Sequence, residues 1–203
     1  MMATAAIVPL RSLHDGKRRL SGVLSSAERT ALVQRLFRRA YHALAASACI
    51  DLVCVVSPDS ELLAWAEGVG AWPLLQPDQG LNAGLEYARQ TLLERQHWSR
   101  LLVVLPDLPL VTAADVTALM MLSQPGTVVI APDRHASGTN ALVLQPVDSL
   151  PFAFGAHSLQ RHVAVAQARG WSIRRYQEPR MAFDLDTADD LQALAQAESR
   201  CRS

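Results

Sequence analysis

The five residues 101–105 are all apolar and leave no polar face at the two-residue period of a strand. Such a strand is covered on both sides, as in a parallel sheet between two helical layers. Pro106 and Pro109 end the run and pin the backbone behind it, which isolates Asp107 at the C-terminal edge of the predicted strand. Residues 3–9, 52–56, 72–75, 127–131 and 141–145 are further apolar or β-branched runs that predict strands. Elsewhere the period lengthens. Leu32, Leu36, Phe37, Ala40 and Leu44 recur at helical spacing behind a Ser25-x-x-Glu28 capping box, with Gln34, Arg35 and Arg38 on the other face. Helices are also predicted from Ser57-Pro58 to about Gly68, with Pro58 in the first turn, and over residues 82–96. Others follow Thr112-x-x-Asp115, run from FAFGAHSLQRH to about Arg169, and follow Thr187-x-x-Asp190.

Strands alternating with helices of ten or more residues require right-handed crossovers, hence an α/β fold with a mainly parallel sheet flanked by helices. Beyond residue 131 the alternation becomes irregular, and residues 171–176 and 181–185 read as short strands. A small antiparallel excursion is expected in that half. With 203 residues and no linker or low-complexity stretch, the chain reads as a single domain over residues 1–203.

Charge narrows the partners. Lysine plus arginine equals aspartate plus glutamate, nineteen each, so the whole chain gives no reason to expect nucleic acid or a membrane surface. Any anion site must be local. Cys49, Cys54 and Cys201 are odd in number and lack paired metal-ligand spacing, which fits a reducing compartment and structural thiols. The sequence shows neither a signal segment nor a membrane span, and the expectation is cytoplasmic. Trp65, Trp72 and Trp98 read equally as core or interface, which leaves a homodimer open.

Three groups of residues suggest chemistry. Gly16-Lys17-Arg18-Arg19 places three cations on a glycine-bearing loop after the first strand, suited to a phosphate chain. It lacks the spacing of a P-loop, and a solvated basic loop is the plain alternative. Asp184 and Asp186 project from one face of an extended segment, about 7 Å apart, where two full charges repel by roughly 2 kcal/mol at an effective dielectric near 20. A cation beside them would relieve this, and magnesium takes such an oxygen-only set. The start of a helix would also explain Asp186, though not Asp184. The loops Ser137-Gly138-Thr139-Asn140 and Gly155-Ala156-His157-Ser158 suit a phosphate or carboxylate, or are ordinary turns. His162 reads as a packed or capping residue. Nucleophile elbow, HExxH and CxxC motifs are absent, which leaves acyl transfer, zinc hydrolysis and thiol chemistry without a carrier.

Taken in order, AIVPL, GKRRLS, LSSAER, VVSPD, GLNAGL, VLPDLPL, APDRHASGTNAL, FGAHSLQRH and DLDTADDL span nearly the whole chain. Together they resemble the guanylyltransferases that activate a phosphorylated three-carbon acid during synthesis of the deazaflavin redox coenzyme, factor 420. The resemblance implies the nucleotide-diphospho-sugar transferase type of α/β fold. It also implies reaction of GTP with the phosphate of 3-phospho-D-glycerate, phosphoenolpyruvate or 2-phospho-L-lactate, with release of pyrophosphate. By motif, Asp107, Asp184 and Asp186 correspond to ligands for Mg2+, and Lys17 and Arg19 to partners of the triphosphate that act with Asp107 in catalysis. Gly80 and Asn82 correspond to the nucleoside pocket, and Thr139, Gly155 and Ser158 to the positions that bind the small phosphorylated acid. A nucleotidyltransferase of the same fold acting on a molybdopterin or sugar phosphate is the nearest alternative. A nucleotide-binding regulator without catalysis is the alternative from another class.

Overall fold

A computed structural model of the chain describes residues 2–12, 17–77 and 80–200, except for the side chains of residues 198–200. Gly16 of the basic loop, Asp78 and Gln79 of the turn before Gly80, and Cys201 lie outside the described residues. The strands are β1 (Thr4–Pro9), β2 (Leu52–Ser57), β3 (Trp72–Leu75), β4 (Arg100–Val104), β5 (Thr127–Pro132), β6 (Thr139–Gln145) and β7 (Ser172–Arg175). They form one sheet in the order β3-β2-β1-β4-β6-β5-β7. The helices are α1 (Ser26–Ala45), α2 (Ser60–Gly68), α3 (Leu81–Arg95), α4 (Ala113–Met121), α5 (Ser158–Ala168), α6 (Pro179–Ala182) and α7 (Ala188–Arg200).

Alternate residues of the central strands feed opposite cores, which is why their sequences are apolar throughout. Ala6, Val8, Leu102 and Val104 pack under Phe37, Leu44, Leu62 and Leu119 from α1, α2 and α4. Ala5, Ile7, Leu101 and Val103 pack under Leu85 and Leu92 of α3 and Leu159 of α5. Trp98 is buried in this second core, while Trp65 packs on Phe37 with ring centroids 5.2 Å apart and Trp72 lies beneath Arg95. Cys54 is buried between the strands, and burial pushes its thiol up to about 12, as a structural thiol requires. Among the described residues no helix is long and apolar enough to cross a membrane.

The antiparallel excursion is one strand. β6 runs against both of its neighbours, β4 and β5, whereas β7 returns parallel to β5. Its reversal follows from the short connection after β5, in which the Asp133 carboxylate accepts the Ser137 N–H at 2.8 Å and turns the chain back.

Two local expectations are corrected. Pro58 stands before α2, outside its first turn, because the Asp59 side chain accepts the Leu62 N–H and so caps the helix one residue later. Residues 181–185 are not a strand. Pro179 starts the single turn α6 instead. The main-chain groups that follow bond outside any ladder: Ala182 O accepts from Arg134 N, Asn140 Nδ2 reaches Met181 O and Ala182 O, and Leu185 N–H donates to Asp107 O. A strand needs a neighbouring strand edge, and here side chains and one loop carbonyl meet the backbone first.

Candidate active site

Strand order fixes where a ligand fits. From β1 the chain winds outward through β2 and β3, then returns to the other side of β1 as β4, so the sheet changes winding direction between β1 and β4. Open α/β sheets bind ligands in the crevice outside the C-terminal ends of their strands at such a point. A cleft of about 820 Å³ lies there. Its walls come from the ends of four strands: Pro9 and Leu10 after β1, Pro58 after β2, Gln76 and Gly80 after β3, and Leu105 to Asp107 after β4. Lys17, Arg18, Arg19 and Asp186 complete it.

A small third core brings the distant charges together. Leu20, Leu32, Leu36, Leu185 and Leu194 pack together, so the basic turn, α1, the acidic segment and α7 share one cluster. Leu185 is fully buried in it, between the partly buried Asp184 and Asp186, the latter lining the cleft. Leu185 N–H also donates to Asp107 O at 3.0 Å, which joins the acidic segment to the loop after β4.

Lys17 closes the arrangement. Its ammonium donates to Asp107 Oδ2 at 2.9 Å and to Asp186 Oδ1 at 2.8 Å, across separations of 90 and 169 residues. Burial alone would lower its pKa, but attraction to Asp107 and Asp186 and the hydrogen bonds to them leave it above the ordinary lysine value. Its backbone is left-handed, with φ 54°, a conformation that a non-glycine residue adopts at a cost. Arg19 Nη1 stands 3.6 Å from Asp186 Oδ2 with 77% of its side chain exposed, so that pair contributes little and leaves the guanidinium able to reach into the cleft.

Among the described residues no three acidic, imidazole or thiol side chains form a ready-made metal cluster. The donor chemistry nevertheless fits a hard cation. Asp107 Oδ1 and Asp184 Oδ1 are both buried with no hydrogen-bond partner among the described residues. Two such oxygens, from segments joined by the bond from Leu185 N–H to Asp107 O, are what an oxygen-loving divalent ion satisfies. Asp184 is held above the ordinary carboxylate range, first by burial and then by repulsion from Asp107 and Asp186, against its own backbone N–H and Arg134. Because the unfolded carboxyl loses its proton at lower pH, the folded state becomes less stable as pH rises through that window, and at neutral pH the full cost is present. Asp184→Asn is therefore expected to raise the melting temperature at neutral pH without divalent ions, by about 2–4 °C per kcal/mol relieved. The gain should vanish below the unfolded carboxylate pKa, and a thermal melt showing no gain at neutral pH would count against the repulsion.

Of the other motif residues Gly80 lines the cleft, whereas Asn82, Thr139, Gly155 and Ser158 are not among its lining residues. Gly80 precedes α3 with φ 109°, a conformation that suits glycine and lets the chain turn into the helix. The Asn82 side chain is committed to the backbone of Phe154, donating to its carbonyl at 3.1 Å and accepting its N–H at 2.8 Å. That double bond docks the loop carrying Gly155 and Ser158 onto the start of α3. Gly155 is exposed, Ser158 is buried at the first residue of α5, and Thr139 is buried at the start of β6. Thr139 Oγ1 lies 3.0 Å from His162 Nδ1, and the Ala153 N–H donates to His162 Nε2, so the proton sits on Nδ1 and faces the threonine. Burial, and secondarily Arg161, bring His162 down to about 4. It is a packed neutral residue. The sequence did not single out Gln76, a cleft-lining residue with no motif to mark it, or Arg134, which contacts the acidic segment.

The chain matches the family described as guanylyl transferase CofC like over residues 4–199. It belongs to the CofC-like guanylyltransferases. It is 44% identical over 194 residues to a phosphoenolpyruvate guanylyltransferase of Sphaerobacter thermophilus, covering 96% of this chain and 93% of that one. It is 34% identical to a 2-phospho-L-lactate guanylyltransferase of Methanothermobacter thermautotrophicus, covering 94% and 83%. Among solved structures it resembles one described as a nucleotide-diphospho-sugar transferase from Desulfovibrio desulfuricans G20, with a TM-score of 0.76, 16% identity and coverage of 97% and 88%. The fold is thus of the nucleotide-diphospho-sugar transferase type, and this CofC-like chain is a nucleotidyltransferase.

Proposed function

We propose that this guanylyltransferase joins the GMP unit of GTP to the phosphate of phosphoenolpyruvate and releases pyrophosphate, with Mg2+ held by Asp107, Asp184 and Asp186. One observation carries the reading: the Lys17 ammonium bridges Asp107 and Asp186 in the cleft at the sheet's switch point, so a basic turn and an acidic cluster share one site. Phosphoenolpyruvate is favoured as acceptor because the relative at 44% identity is named for it, against 34% for the relative named for 2-phospho-L-lactate.

The chemistry needs charge neutralisation and alignment more than a base. An acceptor phosphate with a second pKa of about 6 is already largely a dianion at neutral pH. Its oxygen attacks the α-phosphorus of GTP, the bond from that phosphorus to the bridging oxygen breaks, and pyrophosphate leaves with the electron pair. His162, buried and neutral, takes no part in proton transfer. Lys17 and Arg19 bring positive charge to the triphosphate, offsetting the repulsion between a polyanion and a dianion. Bound Mg2+ supplies further neutralisation of phosphate oxygens at the acidic cluster. Gly80, with the start of α3, forms the wall against which the nucleoside is placed.

Pyrophosphate release measured with GTP or ATP against phosphoenolpyruvate, 2-phospho-L-lactate and 3-phospho-D-glycerate tests this directly. The largest kcat/KM is expected for GTP with phosphoenolpyruvate. Failure of GTP to release pyrophosphate with all three acids in the presence of Mg2+ would overturn the assignment, and a preference for another of the acids would overturn only the choice of acceptor.

A further inference from the structure

We infer that Arg134 and Asp190 are positioning residues that clamp the segment bearing Asp184 and Asp186 from behind and thereby set the affinity of the site for a divalent cation. The inference rests on the reading of those two acids as cation ligands. It concerns residues that do not line the cleft.

The segment from Phe183 to Asp186 belongs to no strand or helix, so nothing regular holds its backbone. Its aim depends on side chains from elsewhere. Arg134, in the loop between β5 and β6, grips the front of the segment at three points. Its main-chain N–H donates to Ala182 O at 2.9 Å, its guanidinium lies 4.8 Å from the Phe183 ring centroid, and Nη2 donates to Asp184 O at 3.1 Å. Asp190, in the first turn of α7, grips the rear. Its Oδ2 accepts the N–H groups of Asp186 and Thr187, each at 2.8 Å. The two halves are joined, because Arg134 Nη2 also meets Asp190 Oδ1 at 2.5 Å.

Asp190 is 5% exposed, and its two oxygens are fully used by these contacts. Ordinary helix capping explains only part of this. A capping box accounts for the bond between the Thr187 hydroxyl and the Asp190 N–H and for the return bond to the Thr187 N–H. It does not account for the additional bond to the Asp186 N–H, or for an arginine that ties the same carboxylate to the Asp184 carbonyl. Those extra bonds fix the backbone of Asp184 and of the cleft-lining Asp186, with Leu185 between them anchored in the third core. Groups that orient ligands in this way commonly change metal affinity 10- to 100-fold when removed.

The test uses Mn2+ alone, without nucleotide, followed by electron paramagnetic resonance and calorimetry on the full chain. Wild type is expected to bind Mn2+, Asp184→Asn to bind it much more weakly, and Arg134→Met and Asp190→Asn each to weaken binding about 10-fold. Arg134→Lys keeps a positive charge against Asp190, and with it the fold, but its shorter side chain loses the planar group over Phe183 and the reach to Asp184 O. It should fall between wild type and Arg134→Met. In the Asp184→Asn, Asp186→Asn background, Arg134→Met should change the residual affinity less than about twofold, since a clamp acts only through what it holds. An Arg134→Met protein within twofold of wild type, or an equal loss with and without the two acids, overturns the clamp alone. If wild type binds no Mn2+ while still releasing pyrophosphate without divalent ions, the cation reading itself fails and the clamp falls with it.

Discussion

Asp107→Asn is expected to lower turnover by about three orders of magnitude while the fold survives, a loss in the range for deleting a single charge-stabilising group in a water-poor site. The Asp107 carboxylate has two functional faces. Oδ2 holds the Lys17 ammonium, and Oδ1 is buried with no hydrogen-bond partner among the described residues. Asparagine retains the shape and the main-chain carbonyl that accepts from Leu185, so the link between the β4 loop and the acidic segment persists. The stability change should be small because two effects oppose each other: one bond to Lys17 weakens, and the repulsion that Asp107 exerts on Asp184 disappears. Pyrophosphate release and a thermal melt on the same preparation separate the outcomes. Loss of activity with a melting temperature near that of wild type is expected. Retained turnover would remove Asp107 from the mechanism, whereas a collapsed melt would make it a structural residue.

How legible the site was depends on the kind of signal. The parallel strands were legible because a strand covered on both faces has to be apolar at every position, and residues 101–105 are. The capping boxes at Ser25 and Thr112 were legible because their reciprocal bonds are local in sequence, and both form. Asp107 and Asp186 could be nominated by position and spacing, but their approach through Lys17 depends on sheet order, which no local pattern carries. The misread strand at residues 181–185 has the same origin. Apolar and acidic residues alternate from Phe183 to Asp186 as in a strand, yet the partner groups are Arg134, Asn140 and the carbonyl of Asp107, all remote in sequence. Asn82 shows the converse. Its motif marked it for the nucleoside pocket, while its side chain bonds to the backbone of Phe154 and ties that loop to the start of α3.

Lys17→Met is expected to have opposite effects on the two kinds of ligand. The ammonium is the counter-ion of Asp107 and Asp186, 12% exposed and within 2.9 Å of both, and so occupies the electrostatic position that a divalent ion would use. If the acids are to hold such an ion while the triphosphate is bound, the lysine has somewhere to go, because polyphosphate oxygens replace the carboxylates as its partners. Removing the ammonium should therefore tighten Mn2+ binding in the absence of nucleotide, by about tenfold for roughly 1.4 kcal/mol of relieved competition. It should also lower kcat/KM for GTP by about two to three orders of magnitude, since a charge-assisted contact to the triphosphate is lost. Simple loss of positive charge would also favour Mn2+, and Arg19→Met separates the two causes. Arg19 is 77% exposed and reaches Asp186 only at 3.6 Å, so its removal changes the charge count without vacating the position between the acids. Equal tightening in both variants would mean that Lys17 acts as distant charge alone. Tightening confined to Lys17→Met would identify this lysine as the counter-ion that a divalent cation has to displace from between the acids.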